Sequence, residues 1–365
     1  MNKFKLGTNF DKKLIYEIIE INKQSKNKVA ELYGSIRKHA QLAARPDFRL
    51  PDISMYDLQN YVELCNSNGI DFNYTLNSIM PYGSKKNLDA NIVEVVELIL
   101  WLSDIGVKRV TVANPLLLEI IRNIVKSNIG IELSTILHID TVTQIKYLHE
   151  KYNLDKVCAN LNKNRDFVFI KKAAEYCKTK GIEYELMVNE FCGVGTKDCA
   201  THCVYRDSCY MCHATNKTLD DDMLFDNYPM NICTSSRNEN PSNWLKLRFI
   251  RPEDIKIYNE LGVTHFKVTG RTATTKYILR TIDAYLSENY EGNLIGLWKP
   301  LESIKGTQNE DFTPYEIDNK RLDGFLDKWL KADMSGNVFN CDYEVCGETC
   351  NYCEMYYKRK VLIDD

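Results

Sequence analysis

No stretch of about 18 apolar residues occurs in this chain, so the sequence offers no membrane span. The longest apolar segment, Asn91–Leu102, is interrupted by Glu94 and Glu97. The opening Met1-Asn2-Lys3-Phe4-Lys5 lacks the apolar core of a secretion signal, which points to the cytoplasm. Charge of one sign is not in excess either. Forty-seven Lys and Arg against 50 Asp and Glu leave −3, which argues against a general polyanion binder. There is no His-Glu-x-x-His zinc motif and no convincing nucleophile elbow, so two common hydrolase signatures are missing. Internal repeats and low-complexity tracts are also lacking. At 365 residues, 44% hydrophobic and 27% charged, the chain reads as globular, with room for one barrel-sized domain and an appendage.

Cysteine is what the sequence has in abundance. Thirteen cysteines in a chain read as cytoplasmic argue against a disulfide framework. They are clumped. Cys192, Cys199, Cys203, Cys209, Cys212 and Cys233 fall in one stretch, and Cys341, Cys346, Cys350 and Cys353 in another. Clumped thiols in a reducing compartment read as metal sites, either iron–sulfur or zinc.

Short apolar runs alternate with amphipathic ones. Strands are expected at Phe4–Gly7, Val29–Tyr33, Phe72–Leu76, Arg109–Ala113, Ile131–Ser134, Lys156–Ala159, Tyr184–Val188 and His265–Val268. Helices are expected between them, among others at Lys12–Asn22, Met55–Ser67, Ile92–Ile105, Thr141–Tyr152, Asp166–Lys180 and Thr272–Ser287. Eight strand–helix alternations predict a (β/α)8 TIM-barrel-like domain, with a doubly wound open sheet as runner-up. A cysteine-rich insertion, residues 189–243, follows the seventh strand, and a further short strand is expected at Leu245–Phe249. The barrel with its insertion takes residues 1–290, a connector 291–340 and a small four-cysteine metal-binding module 341–365.

Two segments carry a family resemblance. Asn189-Glu-Phe-Cys-Gly-Val-Gly-Thr-Lys-Asp-Cys199, then Arg206-Asp-Ser-Cys209-Tyr-Met-Cys212 and the later Cys233, resemble the cysteine signature of the peptidase U32 family. Leu261-Gly-Val-Thr-His-Phe-Lys-Val-Thr-Gly-Arg271 resembles the Gly-Val-x-x-Phe-Lys-Ile-Glu-Gly-Arg segment of that family, with Thr269 where glutamate is commoner. The family is named for collagenase-like peptidases, yet several members resemble oxygen-independent hydroxylases acting on a quinone precursor or on RNA bases. The resemblance therefore implies a [4Fe–4S] cluster held by Cys192, Cys199, Cys209 and Cys233, with Cys212 or Cys203 as alternates. It also implies modification, possible hydroxylation included, of an aromatic, nucleobase or peptide substrate. The competing expectations are a peptidase and a non-catalytic iron–sulfur subunit of a related protein. Expected partners are a small-molecule, peptide or RNA substrate, together with a related U32-type subunit or an electron donor.

In a barrel, chemistry sits at the C-terminal ends of the strands. Polar residues expected there include Arg37, Lys267 and Arg271 for binding an anionic group, because guanidinium and ammonium donors match carboxylates. His39, His138 and Glu190 are the general acid–base candidates. The competing view of Lys267 is a structural ion pair with Glu190 or Glu31. Tyr33, Tyr74 and Tyr82 either stack on a planar substrate or pack. At the C-terminus, Cys341-x4-Cys346-x3-Cys350-x2-Cys353 is a complete four-thiolate set for a second [4Fe–4S] cluster or a zinc ion. The last three also match the radical SAM spacing, but at the wrong end of the chain.

Overall fold

A computed structural model describes residues 1–190, 232–233, 236–237, 239–271, 273–298, 316–331 and 338–361. Eight parallel strands close into a barrel: β1 (Lys3–Gly7), β2 (Lys28–Gly34), β3 (Asp71–Leu76), β4 (Arg109–Val112), β5 (Gly130–Leu133), β6 (Lys156–Cys158), β7 (Glu183–Met187) and β8 (His265–Val268). Closure is made by β1 against β8, with Lys3 opposite His265 and Leu6 opposite Val268. The barrel is thus the expected (β/α)8 form and not the open sheet.

A helix follows each strand: α1 (Lys12–Gln24), α2 (Met55–Ser67), α3 (Ile92–Asp104), α4 (Pro115–Glu119), α5 (Val142–Tyr152), α6 (Phe167–Lys180), α7 (Ile255–Glu260) and α8 (Thr275–Ser287). Local chemistry sets their ends. Asp11, Ser54, Asp166 and Thr274 accept from first-turn amides. Thr141 and Gln144 form a reciprocal capping box on α5. Gly69, Gly106 and Gly181 take the left-handed conformation just past α2, α3 and α6.

Period-2 patterning divides each strand between two faces. Leu6, Leu32, Phe72, Val110, Ile131, Val157, Leu186 and Phe266 are buried in the core shared with the helices. That core continues into the expected connector, where Trp298, Ile317, Phe325 and Trp329 are part of it. The expected strand at Leu245–Phe249 does not form. Asn243–Lys246 is a helical turn, and the residues after it run to α7 without joining the sheet. The reason is topological: β7 pairs directly with β8, so no strand edge is left open there. Among the described residues, no helix is long and apolar enough to cross a membrane.

Candidate active site at the barrel mouth

The other face of the strands fills the barrel with charge. Lys5, Arg109, Lys156 and Lys267 meet the carboxylates of Glu31, Glu132, Glu183 and Glu185. Lys5 Nζ bonds Glu132 and lies 2.9 Å from Glu185. Lys156 Nζ is 2.5 Å from Glu31 and 3.1 Å from Glu183. Asn73 donates to Glu31 at 2.7 Å and to Glu132 at 2.9 Å, and accepts from Thr111 at 2.6 Å. Burial alone would raise the Glu31 carboxyl, but Lys156, Lys5 and Arg109 outweigh it and hold it down at about 2. Each of these four cations thus has at least one carboxylate partner. Buried charge tolerates burial only when paired and hydrogen-bonded in this way.

One trio inside this layer has metal-ligand spacing. A ligand atom from each of Glu132, Cys158 and Glu185 lies within 4.8 Å of the others. The Lys5 ammonium already occupies the cationic position between the two carboxylates. Burial also pushes the Cys158 thiol up to about 12, so it stays protonated. The trio is part of the structural network.

Above it lies the mouth. Tyr33, at the end of β2, presents its ring to three cations: Lys267 Nζ sits 4.5 Å, Lys5 Nζ 5.4 Å and the Arg271 guanidinium 5.7 Å from its centroid. Arg271 donates to Thr75 Oγ1, at the end of β3, at 2.7 Å. Burial and the nearby Arg45 lower Arg271 to about 10, against the opposing pull of Tyr33 and Glu190. Gly7 makes this placement possible. A Cβ there would come within 2.9 Å of the Arg271 backbone nitrogen, so only glycine lets the β8 exit lie against β1. Asn189 ties the ends of β7 and β8 together, accepting from Thr269 N at 2.7 Å and from Thr269 Oγ1 at 3.1 Å. Thr269 thus serves as part of that clamp.

The sequence-derived candidates are distributed unevenly. Lys267, Arg271 and Glu190 gather at the mouth around Tyr33. Lys267 also joins the interior layer, 3.6 Å from Glu132 and not from Glu190 or Glu31. Arg37 lies elsewhere, in an exposed pair with Asp52 at 2.9 Å. His39 packs on the outer side of the barrel, its Nδ1 2.6 Å from the hydroxyl of Tyr74. Burial, helped by Lys38, lowers it to about 4. Tyr74 is accordingly a packing residue. His138 ends the turn after β5 in a left-handed conformation. Cys192, Cys199, Cys203, Cys209 and Cys212 lie outside the described residues, while Cys233 is half-buried and packs against the core. Cys341, Cys346, Cys350 and Cys353 all line one pocket. Sequence reasoning missed Arg45, Thr75 and Cys158. For Thr75 and Cys158 their place at strand ends was the available signal, while Arg45 lies in the long loop after β2, and nothing in one strand tells which neighbours meet across a barrel.

Comparisons with known proteins identify a family. The sequence profile of peptidase family U32 matches residues 26–290. An uncharacterized protease of Methanocaldococcus jannaschii is 26% identical over 351 residues, which cover 96% of this chain and 94% of that protein. The solved structure of a U32 peptidase is similar at 13% identity and a TM-score of 0.47, covering 74% of this chain and 93% of the other. With its profile spanning the barrel from before β2 to beyond α8, the chain belongs to peptidase family U32.

Proposed function

We propose that this protein is an iron–sulfur enzyme of the U32 type. It modifies an aromatic, nucleobase or peptide substrate without oxygen, hydroxylation being the leading form, and Arg271 receives an anionic group of that substrate. The observation that carries the reading is the mouth itself. A half-buried guanidinium, crowded by Arg45, stands beside the face of Tyr33 where the chain leaves β7 for the cysteine-rich insertion. An anion there relieves the cation–cation strain, and a flat group has an aromatic surface to lie on. The insertion supplies Cys192, Cys199, Cys209 and Cys233 as the thiolates for a [4Fe–4S] cluster, with Cys203 or Cys212 as alternates. Soft thiolates suit that group. When bound, it supplies electron transfer and an iron site for an oxygen-bearing ligand. The chain's own residues bind and orient the substrate: Arg271 by its donors, Tyr33 by its ring, and Lys267 by holding positive charge beneath them.

A second reading, peptide hydrolysis, is favoured by the names of the family and of the M. jannaschii relative. It needs a nucleophile within reach of a base. Among the described residues, Cys158 is a protonated thiol beside carboxylates and His39 is engaged with Tyr74, so neither supplies that pair. Three measurements separate the readings. Holoprotein purified without oxygen should leave labelled gelatin intact. Cells lacking the gene should contain an RNA base or small aromatic metabolite one oxygen atom lighter by mass spectrometry. Arg271→Ala should abolish that modification while retaining wild-type iron and sulfide. Peptide cleavage that survives chelation and cluster loss would replace this reading with the hydrolase.

A further inference from the structure

The four C-terminal cysteines form a second cluster of thiols. Their local fold brings them around one pocket of about 100 Å³, together with Lys246 and Arg248. Asn340 caps the turn Cys341–Tyr343 by accepting from Asp342 N at 2.9 Å. A backbone bridge joins Cys346 to Cys350, with Gly347 N donating to Cys350 O at 3.0 Å. The helix Tyr352–Tyr356 then presents Cys353. None of the four is in a disulfide.

Positive groups surround the four thiols. Lys328 Nζ donates to Cys350 Sγ at 3.1 Å. Arg165, almost fully buried, lies near enough to Cys353 and Cys341 to feel both, and Arg248 repels it. Its guanidinium donates to two carbonyls, Leu245 O at 2.9 Å and Leu247 O at 2.5 Å, and has no carboxylate partner among the described residues. The acids nearby are committed: Glu354 to Lys358 at 2.7 Å and Asp342 to Lys163 at 2.5 Å. Buried positive charge of this kind needs an anion, and a metal-bound tetrathiolate is one.

The spacing discriminates between metals. Zinc bonds of about 2.3 Å in a tetrahedron put thiolates about 3.8 Å apart. Among the described residues, the group of three ligand-type side chains that closes to within 4.8 Å is the Glu132 trio in the barrel. No three of the C-terminal thiols close to that distance, which leaves room between them for a group larger than one ion. We propose that Cys341, Cys346, Cys350 and Cys353 hold an iron–sulfur cluster. The segment that carries it docks against the loop between β6 and α6, where Lys163 and Asp166 bind Asp342 and Asn340.

The test compares three forms of the full chain purified without oxygen: wild type, Cys346→Ser/Cys350→Ser, and Cys192→Ser/Cys199→Ser. Iron, acid-labile sulfide and zinc are measured in each. The C-terminal double variant should lose a share of iron and sulfide with zinc unchanged, and the insertion variant should keep that share. Loss of zinc alone from the C-terminal double variant, or no loss of any metal, overturns the proposal. Lys328→Met leaves all four ligands in place and guards against a folding failure. It should move one component of the redox titration to a more negative potential, because a positive donor to a cluster sulfur is gone. An unmoved potential also overturns the proposal. Iron confined to the C-terminal set would sink the proposed mouth chemistry and leave this site standing.

Discussion

His39 and Arg271 are both lowered in proton affinity by burial, to different ends. Arg271 at about 10 stays charged at neutrality and can still grip an anion. His39 at about 4 is neutral there, and its ring is half of a hydrogen bond with Tyr74. The sequence made His39 a catalytic candidate because it follows a barrel strand. What no sequence pattern reveals is that the loop turns it outward, onto a tyrosine whose own alternation places it among the helices. The linkage has a definite sign. An unfolded histidine titrates near 6.5, so between about 6.5 and 4 the unfolded chain holds a proton that the folded chain refuses. Stability should therefore fall as pH drops through that window, by about 3 kcal/mol in total from this residue. His39→Gln should flatten that part of the curve of unfolding free energy against pH. If urea denaturation gives parallel curves for the two proteins, His39 is not the group responsible.

At the scale of elements, strands and helices were legible because each announces itself locally. The period-2 alternation of β1 to β8, the caps at Asp166 and Thr274, and the stops at Gly69, Gly106 and Gly181 are all short-range signals. Leu245-Lys246-Leu247-Arg248-Phe249 carries the same alternation and is not a strand, since a closed barrel has no edge to offer it and Arg165 takes the carbonyls of Leu245 and Leu247 instead. The charged layer was illegible for the converse reason. Lys267 on β8 meets Glu132 on β5 across the barrel, and such pairings depend on closure and not on neighbours in sequence. This layer makes a sharp energetic prediction. Lys5 is the cation shared by Glu132 and Glu185, both fully buried. Lys5→Met should cost about 3–5 kcal/mol, because it removes the nearest cation from two buried carboxylates and leaves Glu132 to Lys267 and Glu185 to Lys156, each at 3.6 Å. Adding Glu132→Gln should recover part of that loss. Denaturant titration of the three proteins checks both statements, and a single-variant loss under about 1 kcal/mol would show that the layer reorganises freely.

At the scale of the whole molecule, the C-terminal cysteines read in sequence as a small terminal module, and contacts join that segment to the barrel. Arg165, in the β6–α6 loop, lies with its guanidinium 5.2, 4.9 and 5.0 Å from the rings of Phe249, Phe325 and Trp329. Tyr352 and Tyr356 cover Phe325 from the other side, with centroids at 5.7 and 5.0 Å, and Tyr356 donates to Asp323 O at 2.9 Å. Arg321 reaches forward to Val361 O at 3.2 Å. One aromatic and cationic cluster is therefore built from the barrel, the connector and the terminal segment together. A chain ending at residue 338 would strip two tyrosines from Phe325 and Trp329 and leave Arg165 facing water on an apolar surface. Removing even one large buried aromatic side chain costs about 3–5 kcal/mol, so the truncated chain should melt at a markedly lower temperature. The intact apoprotein should give a single calorimetric transition, because the barrel and its terminal segment lose their shared cluster at once. Two separated transitions, the later one unchanged by truncation, would mean that the segment folds on its own and that its thiols report nothing about the mouth beside them.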